Sequence, residues 1–216
     1  MMGDPRSDGR CSAGVSGSSR LPWQLRYVVA ARAASDARRL SILATHRHAD
    51  VQIDRTTRLG PRFSLWIPEH GRLHIGAGCD FRRDFYCEVA GNGSVDIGPG
   101  TQFVTANVIQ ISTSLRIGAR CVFGSRTHIV DGNHRFRDHT RHLLEQGYDY
   151  RPITIGDGAL ILSNAVIIAP VGVGAVIGAN SVVTKPVPDY CIAVGSPARV
   201  IEYFGPPELA PESLQA

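Results

Sequence analysis

Between Ile153 and Val183 the chain reads ITIGDGALILSNAVIIAPVGVGAVIGANSVV, and its aliphatic residues return every six positions, at Ile155, Ile161 and Ile167. A helix returns its apolar residues every 3.6 positions and a half-buried strand every two. A period of six predicts short parallel strands stacked in a solenoid, where one aliphatic per strand enters a continuous core and a small residue turns each corner. The Ile-Gly cassette of Ile155-Gly156 and Ile177-Gly178 recurs upstream at Ile75-Gly76, Ile97-Gly98 and Ile117-Gly118, so the pattern is an array. Strands are predicted from Asp50 onward through VQIDR, FSLWI, RLHIG, CEVAG, SVDIG and NVIQI.

The interruptions are as informative as the period. Gly156 and Gly178 are 22 residues apart, not a multiple of six, and the shortfall lies in IIAPVGVGAV. A tightened or irregular corner is expected around Pro170 to Gly174. Residues 135–152, RFRDHTRHLLEQGYDYRP, are too polar for a narrow solenoid and predict a loop projecting from one corner. The repeat is expected to end near Pro186. A strand and a short helix within 189–204 should then cap it, because an open coil presents unpaired strand edges. At the other end Leu21–Leu43 reads as a helix with Pro22 in its first turn. Leu25, Val28, Val29, Ala33 and Ala37 form the face expected to pack on the solenoid end or on a neighbouring subunit. That stripe lacks the bulky anchors of a membrane-surface helix. The chain thus divides into a Gly/Ser-rich segment 1–20 expected to be disordered, a helical element 21–48, a solenoid domain 49–204 carrying the loop 135–152, and a Pro-rich flexible tail 205–216.

A length of 216 residues suits one domain, and 43% hydrophobic residues supply its core. No apolar run approaches the ~18–20 residues needed to cross a membrane, and residues 1–20 lack the apolar stretch of a signal peptide. The five cysteines include no CxxC pair. A reducing cytoplasm is therefore expected, and a disulfide framework or structural metal is not. The net charge of +4 is spread over scattered arginines without a nucleic-acid-binding motif. It suits an anionic small ligand better than DNA or RNA.

Three segments carry a family likeness: IGANSVVTKPVP (177–188), VGSPARVI (194–201) and IVDGNHRF (129–136). They resemble the hexapeptide-repeat acyltransferases, in particular the acetyl-CoA-dependent branch that holds the galactoside, maltose, streptogramin and polysaccharide O-acetyltransferases. The likeness spans roughly residues 50–204. It implies an all-β, left-handed parallel β-helix with an N-terminal helix, a projecting loop and a short C-terminal cap. It also implies acetyl-CoA as acyl donor, no metal, a sugar, glycan or secondary-metabolite acceptor, and a homotrimer with sites between protomers. The handedness comes from the resemblance, since crossovers between parallel strands are generally right-handed.

Acyl transfer from a thioester to a hydroxyl needs a base that takes the hydroxyl proton as the C–O bond forms, and imidazole suits that task at neutral pH. His134, in Asp131-Gly132-Asn133-His134 just before the predicted loop, stands where the related enzymes keep their catalytic histidine. Asp131 and Asn133 are candidates to orient it, or else turn formers. Asn107 resembles an acceptor-contacting asparagine, and an asparagine ladder or corner is the alternative. Phe136 and Tyr148 in the loop are candidate acceptor contacts. The resemblance implies that the backbone at Ser163 and Ala179 meets the pantetheine arm, with Thr184, Lys185 and Arg199 near the adenosine and phosphates. Amino-sugar N-acetylation uses the same base. An inactive solenoid scaffold is a different class of function. A zinc carbonic anhydrase on the same solenoid would need three converging histidines, and His128, His134, His139 and His142 do not match that spacing.

Overall fold

A computed structural model describes residues 22–210. The expected disorder of 1–20, and the last part of the tail, fall outside the described residues. Three parallel sheets form the faces of a prism, the left-handed parallel β-helix. Face 1 begins at Asp50–Ile53, face 2 at Arg58–Leu59 and face 3 at Ser64–Trp66, and each of the next four coils adds one strand to each face. In-register pairs such as Ile75↔Ile97 and Phe81↔Phe103 stack like on like, and Cys87 stacks on Ile109. No helix among the described residues is long and apolar enough to cross a membrane.

The period of six holds on two corners and fails on the third. Inward residues step by six from face 1 to face 2 and from face 2 to face 3 in every coil, as in Ile117, Phe123 and Ile129. From face 3 back to face 1 the step is ten residues from Cys87 to Ile97 but eight from Ile109 to Ile117. It swells to twenty-six from Ile129 to Ile155, then shrinks to four from Ile167 to Val171 and from Val183 to Val187. The tightened corner at Pro170 is therefore regular: it recurs at Pro186, and face 1 shrinks there to the single bridging residues Val171 and Val187.

The core tapers with the coil. The face 2 ladder runs Leu59, Phe81, Phe103, Phe123, Ile161, Ile177, Ala193 in continuous register. Phenylalanine fills face 2 in the second to fourth coils, and the later coils take isoleucine and then alanine, keeping interior packing density as the prism narrows. Phe81–Phe103 and Phe103–Phe123 stack with ring centroids 4.9 and 4.4 Å apart. The corner between faces 1 and 2 is a ladder of small buried residues, including Cys79, Thr101, Cys121, Ala159, Ala175 and Cys191. The four described cysteines are thus buried free thiols with packing roles.

The helix α1 (Trp23–Thr45) packs on the solenoid end by a face other than its apolar stripe, so of the two expected partners for that stripe the solenoid end is excluded. Leu25, Val28 and Val29 are exposed, while Ser35 and Ile42 are buried. The reason is the open edge of the first coil. The Leu59 N–H donates to Ser35 Oγ at 2.8 Å, and Arg38 donates to the Leu59 carbonyl at 3.0 Å. Two polar side chains of the helix stand in for the missing neighbouring strand. At the other end Cys191–Val194 continues face 2, and Arg199–Tyr203 folds back antiparallel on it. The solenoid thus continues past Pro186. The cap is a strand with no helix in 189–204, and a single 3₁₀ turn follows at Pro207–Leu209.

Candidate active site

The predicted loop is a built arm. It leaves the solenoid at the corner between faces 3 and 1 and opens with an antiparallel ribbon of Gly132–His134 and Tyr148–Tyr150, earlier than the expected boundary at 135. His134 lies opposite Tyr148, and Gly132 opposite Tyr150. Residues two apart share a face of a strand, so three rings line up: Tyr150 and Tyr148 stack at 5.3 Å, and Tyr148 meets His134 at 4.2 Å. A Cβ on Gly132 would come within 2.5 Å of the Tyr150 ring, so any larger residue would push that ring out of the row. At the tip, the Gln146 amide accepts from the Asp138 N–H and donates to the Asp138 and Arg141 carbonyls. Asp138 also receives the Thr140 N–H and hydroxyl, and His142 caps the 3₁₀ turn Leu143–Glu145.

His134 is exposed, and no hydrogen bond holds either ring nitrogen among the described residues. It borders a pocket of about 380 Å³ together with Phe136, Arg137, Arg141 and Gln146. Arg135 and Asp149 close the rim as an ion pair at 2.7 Å.

Two expected partners of His134 are elsewhere. Asp131 is buried, and its carboxylate accepts from the Ser112 N–H at 3.0 Å and from the Thr113 N–H and hydroxyl at 2.6 Å. It ties the root of the arm to the corner of the preceding coil, and its carbonyl receives the Arg151 N–H at 2.9 Å, so both ends of the arm meet at this residue. Asn133 falls on the far face of the ribbon, opposite Asp149. Asn107 is a further correction. It is buried in the corner between faces 2 and 3, where Oδ1 accepts from the Thr127 N–H at 3.0 Å, so it is out of an acceptor's reach. Of the two candidate acceptor contacts, Phe136 borders the pocket and Tyr148 packs against the His134 ring.

The expected cofactor residues divide between two corners. Ser163 and Ala179 occupy equivalent positions on successive coils at the corner of faces 2 and 3. There Asn164 and Asn180 hold positive φ and are joined side chain to side chain at 3.0 Å. The Ala179 N–H and carbonyl carry no hydrogen bond among the described residues. Arg199 lies near the same corner, paired with Val194. Thr184 and Lys185 are exposed on the corner of faces 3 and 1, the corner that bears the arm. Between the two corners, face 3 carries a polar chain. His128 bonds Gln110 at 2.9 Å, Gln110 donates to Glu88 at 3.0 Å, and the Tyr86 hydroxyl donates to Glu88 at 3.1 Å. Burial pushes the His128 imidazole pKa down. Among the described residues no three His, Cys, Asp or Glu side chains converge as a metal site.

The sequence pointed to the arm but missed Gln146, Ser112 and Thr113. The alternating Tyr148-Asp149-Tyr150 was the available signal for the ribbon.

No family model matches the chain. A probable acetyltransferase of Mycobacterium tuberculosis is 32% identical over 115 residues, which make up 52% of this chain and 38% of that protein. The chain therefore spans well under half the length of that relative. An N-acyltransferase variant from Bacillus cereus, solved with dTDP-4-amino-4,6-dideoxyglucose and coenzyme A, superposes with a TM-score of 0.60 at 18% identity, over 73% of this chain and 84% of that one. A hexapeptide-repeat acetyltransferase of Vibrio cholerae, solved with acetyl coenzyme A, superposes with a TM-score of 0.50 at 21% identity, over 79% of each chain. The prism of three parallel sheets is thus the fold of these acyltransferases, the Vibrio cholerae protein being a hexapeptide-repeat acetyltransferase.

Proposed function

We propose that this protein transfers an acetyl group from acetyl-CoA to a hydroxyl of a sugar, glycan or related metabolite. The observation that carries the reading is the exposed His134, backed by Tyr148 and bordering a pocket, at the one corner where the solenoid opens. The fold shared with acyltransferases that bind coenzyme A and a nucleotide-linked sugar supports it. His134 takes the proton of the acceptor hydroxyl as its oxygen bonds to the thioester carbonyl carbon. The tetrahedral oxyanion collapses, the C–S bond breaks, and the proton passes from the imidazolium to the departing thiolate. The Ala179 backbone and the N–H of half-buried Ser163, whose carbonyl already accepts from the Asn180 N–H at 3.0 Å, pair with the pantetheine amides, and Thr184, Lys185 and Arg199 face the nucleotide end. No metal enters this scheme.

Ser163 and Ala179 lie on a different corner of the prism from His134, while Thr184 and Lys185 share the corner of the arm. A homotrimer, as the resemblance implies, would let the arm of one protomer meet the Ser163–Ala179 corner of its neighbour. Light scattering checks the trimer, and a monomer at micromolar concentration would remove the shared site.

Amine acetylation is the second reading, favoured by the amino-sugar ligand of the Bacillus cereus structure. Thiol release from acetyl-CoA across a panel of sugars and amino sugars tests transfer itself. Lability of the product to mild base then separates ester from amide. No thiol release with any acceptor, together with no binding of coenzyme A, would leave the scaffold reading.

A further inference from the structure

Three guanidinium groups border the pocket beside His134, and they are not equivalent. Arg135 is neutralised by Asp149. Arg141 reaches only the carbonyl of Glu145, through one nitrogen. Among the described residues Arg137 has no carboxylate within ion-pair range, and it rests over the Phe136 ring at 5.4 Å. The other carboxylate on the rim, Asp138, is turned into its own loop by Thr140. The pocket thus holds two cations without anionic partners next to the proposed base, and Gln146 fixes the tip that carries them. A guanidinium presents paired N–H donors in one plane, a match for phosphate or carboxylate oxygens. A neutral sugar has no group that uses two such charges. At about 380 Å³ the pocket has the volume of a small-ligand site.

We propose that the acceptor is anionic: Arg137 and Arg141 hold its phosphate or carboxylate and so present its hydroxyl or amine to His134. This rests on the acyl-transfer reading and narrows its substrate class.

Calorimetric titration of the full chain, with and without saturating coenzyme A, tests the idea with glucose 1-phosphate, glucuronate and glucose as probes. At least one anionic probe should bind about tenfold or more tightly than glucose, roughly the factor carried by one charge-assisted hydrogen bond. Which of the two binds identifies phosphate or carboxylate as the recognised group. Arg137→Gln and Arg141→Gln should each remove most of that preference and leave coenzyme A affinity unchanged. Arg137→Gln is the cleaner variant, since Arg137 makes no hydrogen bond within the arm. Equal binding of glucose and both anions would overturn the proposal, as would no anion binding or a preference that survives both substitutions. Weaker coenzyme A binding in these variants would overturn it too, by assigning the two arginines to the donor. Failure of the wild-type chain to bind coenzyme A would instead count against acyl transfer, while the anion titrations still report on the pocket.

Discussion

The imidazole of His134 lies against the phenol ring of Tyr148, 4.2 Å between centroids and tilted by 40°. They are cross-strand partners in the ribbon, so backbone register sets the contact. Neither ring nitrogen is bonded within the described residues, which leaves both free for substrate and a proton. Tyr148 is itself backed by Tyr150, and Tyr150 lies over Gly132. A row of rings, in place of the usual carboxylate, orients the proposed base.

His134→Ala should lower turnover by about 10²–10⁴-fold, the range for loss of a general base, and leave the fold and coenzyme A affinity intact. Tyr148→Phe keeps the ring and should keep most activity. Tyr148→Ala should lower kcat by about tenfold, as the imidazole loses its backing. Steady-state thiol release on the three variants checks the order. Equal effects of the Phe and Ala changes would assign the work to the hydroxyl.

The solenoid was legible because each inward residue, such as Ile155 or Ile161, repeats at a spacing no helix or simple strand produces. The short corner at Pro170 was legible too. Its recurrence was not, because Thr184-Lys185-Pro186-Val187 reads as the end of the array. For α1, hydrophobicity selected Leu25, Val28 and Val29, whereas the edge it covers needs a hydrogen-bond acceptor and a donor, met by Ser35 and Arg38. Asp131 was read as a site residue from its place beside His134, and Asn107 from the family resemblance. Their partners, Thr113 and Thr127, lie one coil away, 18 and 20 positions along the chain. The coil length changes from one turn to the next, so spacing alone does not reveal such contacts.

Asp131 is a positioning residue by its contacts. Replacing it with Ala leaves the Ser112 and Thr113 N–H groups without their acceptor and frees the root of the arm. A loss of about 2–3 kcal/mol is expected, measured by urea unfolding. Activity should fall because His134 is displaced, with the shape of the kcat–pH profile unchanged. A displaced acidic limb in Asp131→Asn would show instead that this carboxylate acts on the imidazole electrostatically.

His128 gives stability a dependence on pH. Burial favours its neutral form in the folded chain, and the unfolded chain protonates near pH 6.5. Between that pH and the lower folded value the unfolded state binds more protons, so stability falls as pH drops through this window. His128→Gln should flatten the difference in Tm between pH 7.5 and 5.5. The depressed carboxyls of Asp50 and Asp84 contribute at lower pH, because their stabilisation is lost only as pH falls below the ordinary carboxylate range. An identical Tm difference in the variant would mean that other histidines carry the effect.

Lys185 and Arg199 occupy different corners, so they should meet different parts of the donor. Lys185→Ala and Arg199→Ala are each expected to weaken coenzyme A by ~1–3 kcal/mol, as for a lost charged hydrogen bond to phosphate, with kcat at saturation nearly unchanged. Titrating wild type and each variant with coenzyme A and with dephospho-coenzyme A separates the phosphates. A residue on the 3′-phosphate loses its effect when that phosphate is absent, whereas one on the pyrophosphate keeps it. Because the two side chains flank the last strand of face 3 from opposite ends, only one of them should behave in the first way. Loss of the effect in both variants would require the two cations to converge on one phosphate, which a neighbouring copy would have to arrange. Full affinity in both would return them to the solvated end of the prism and leave the backbone at Ser163 and Ala179 to hold the donor.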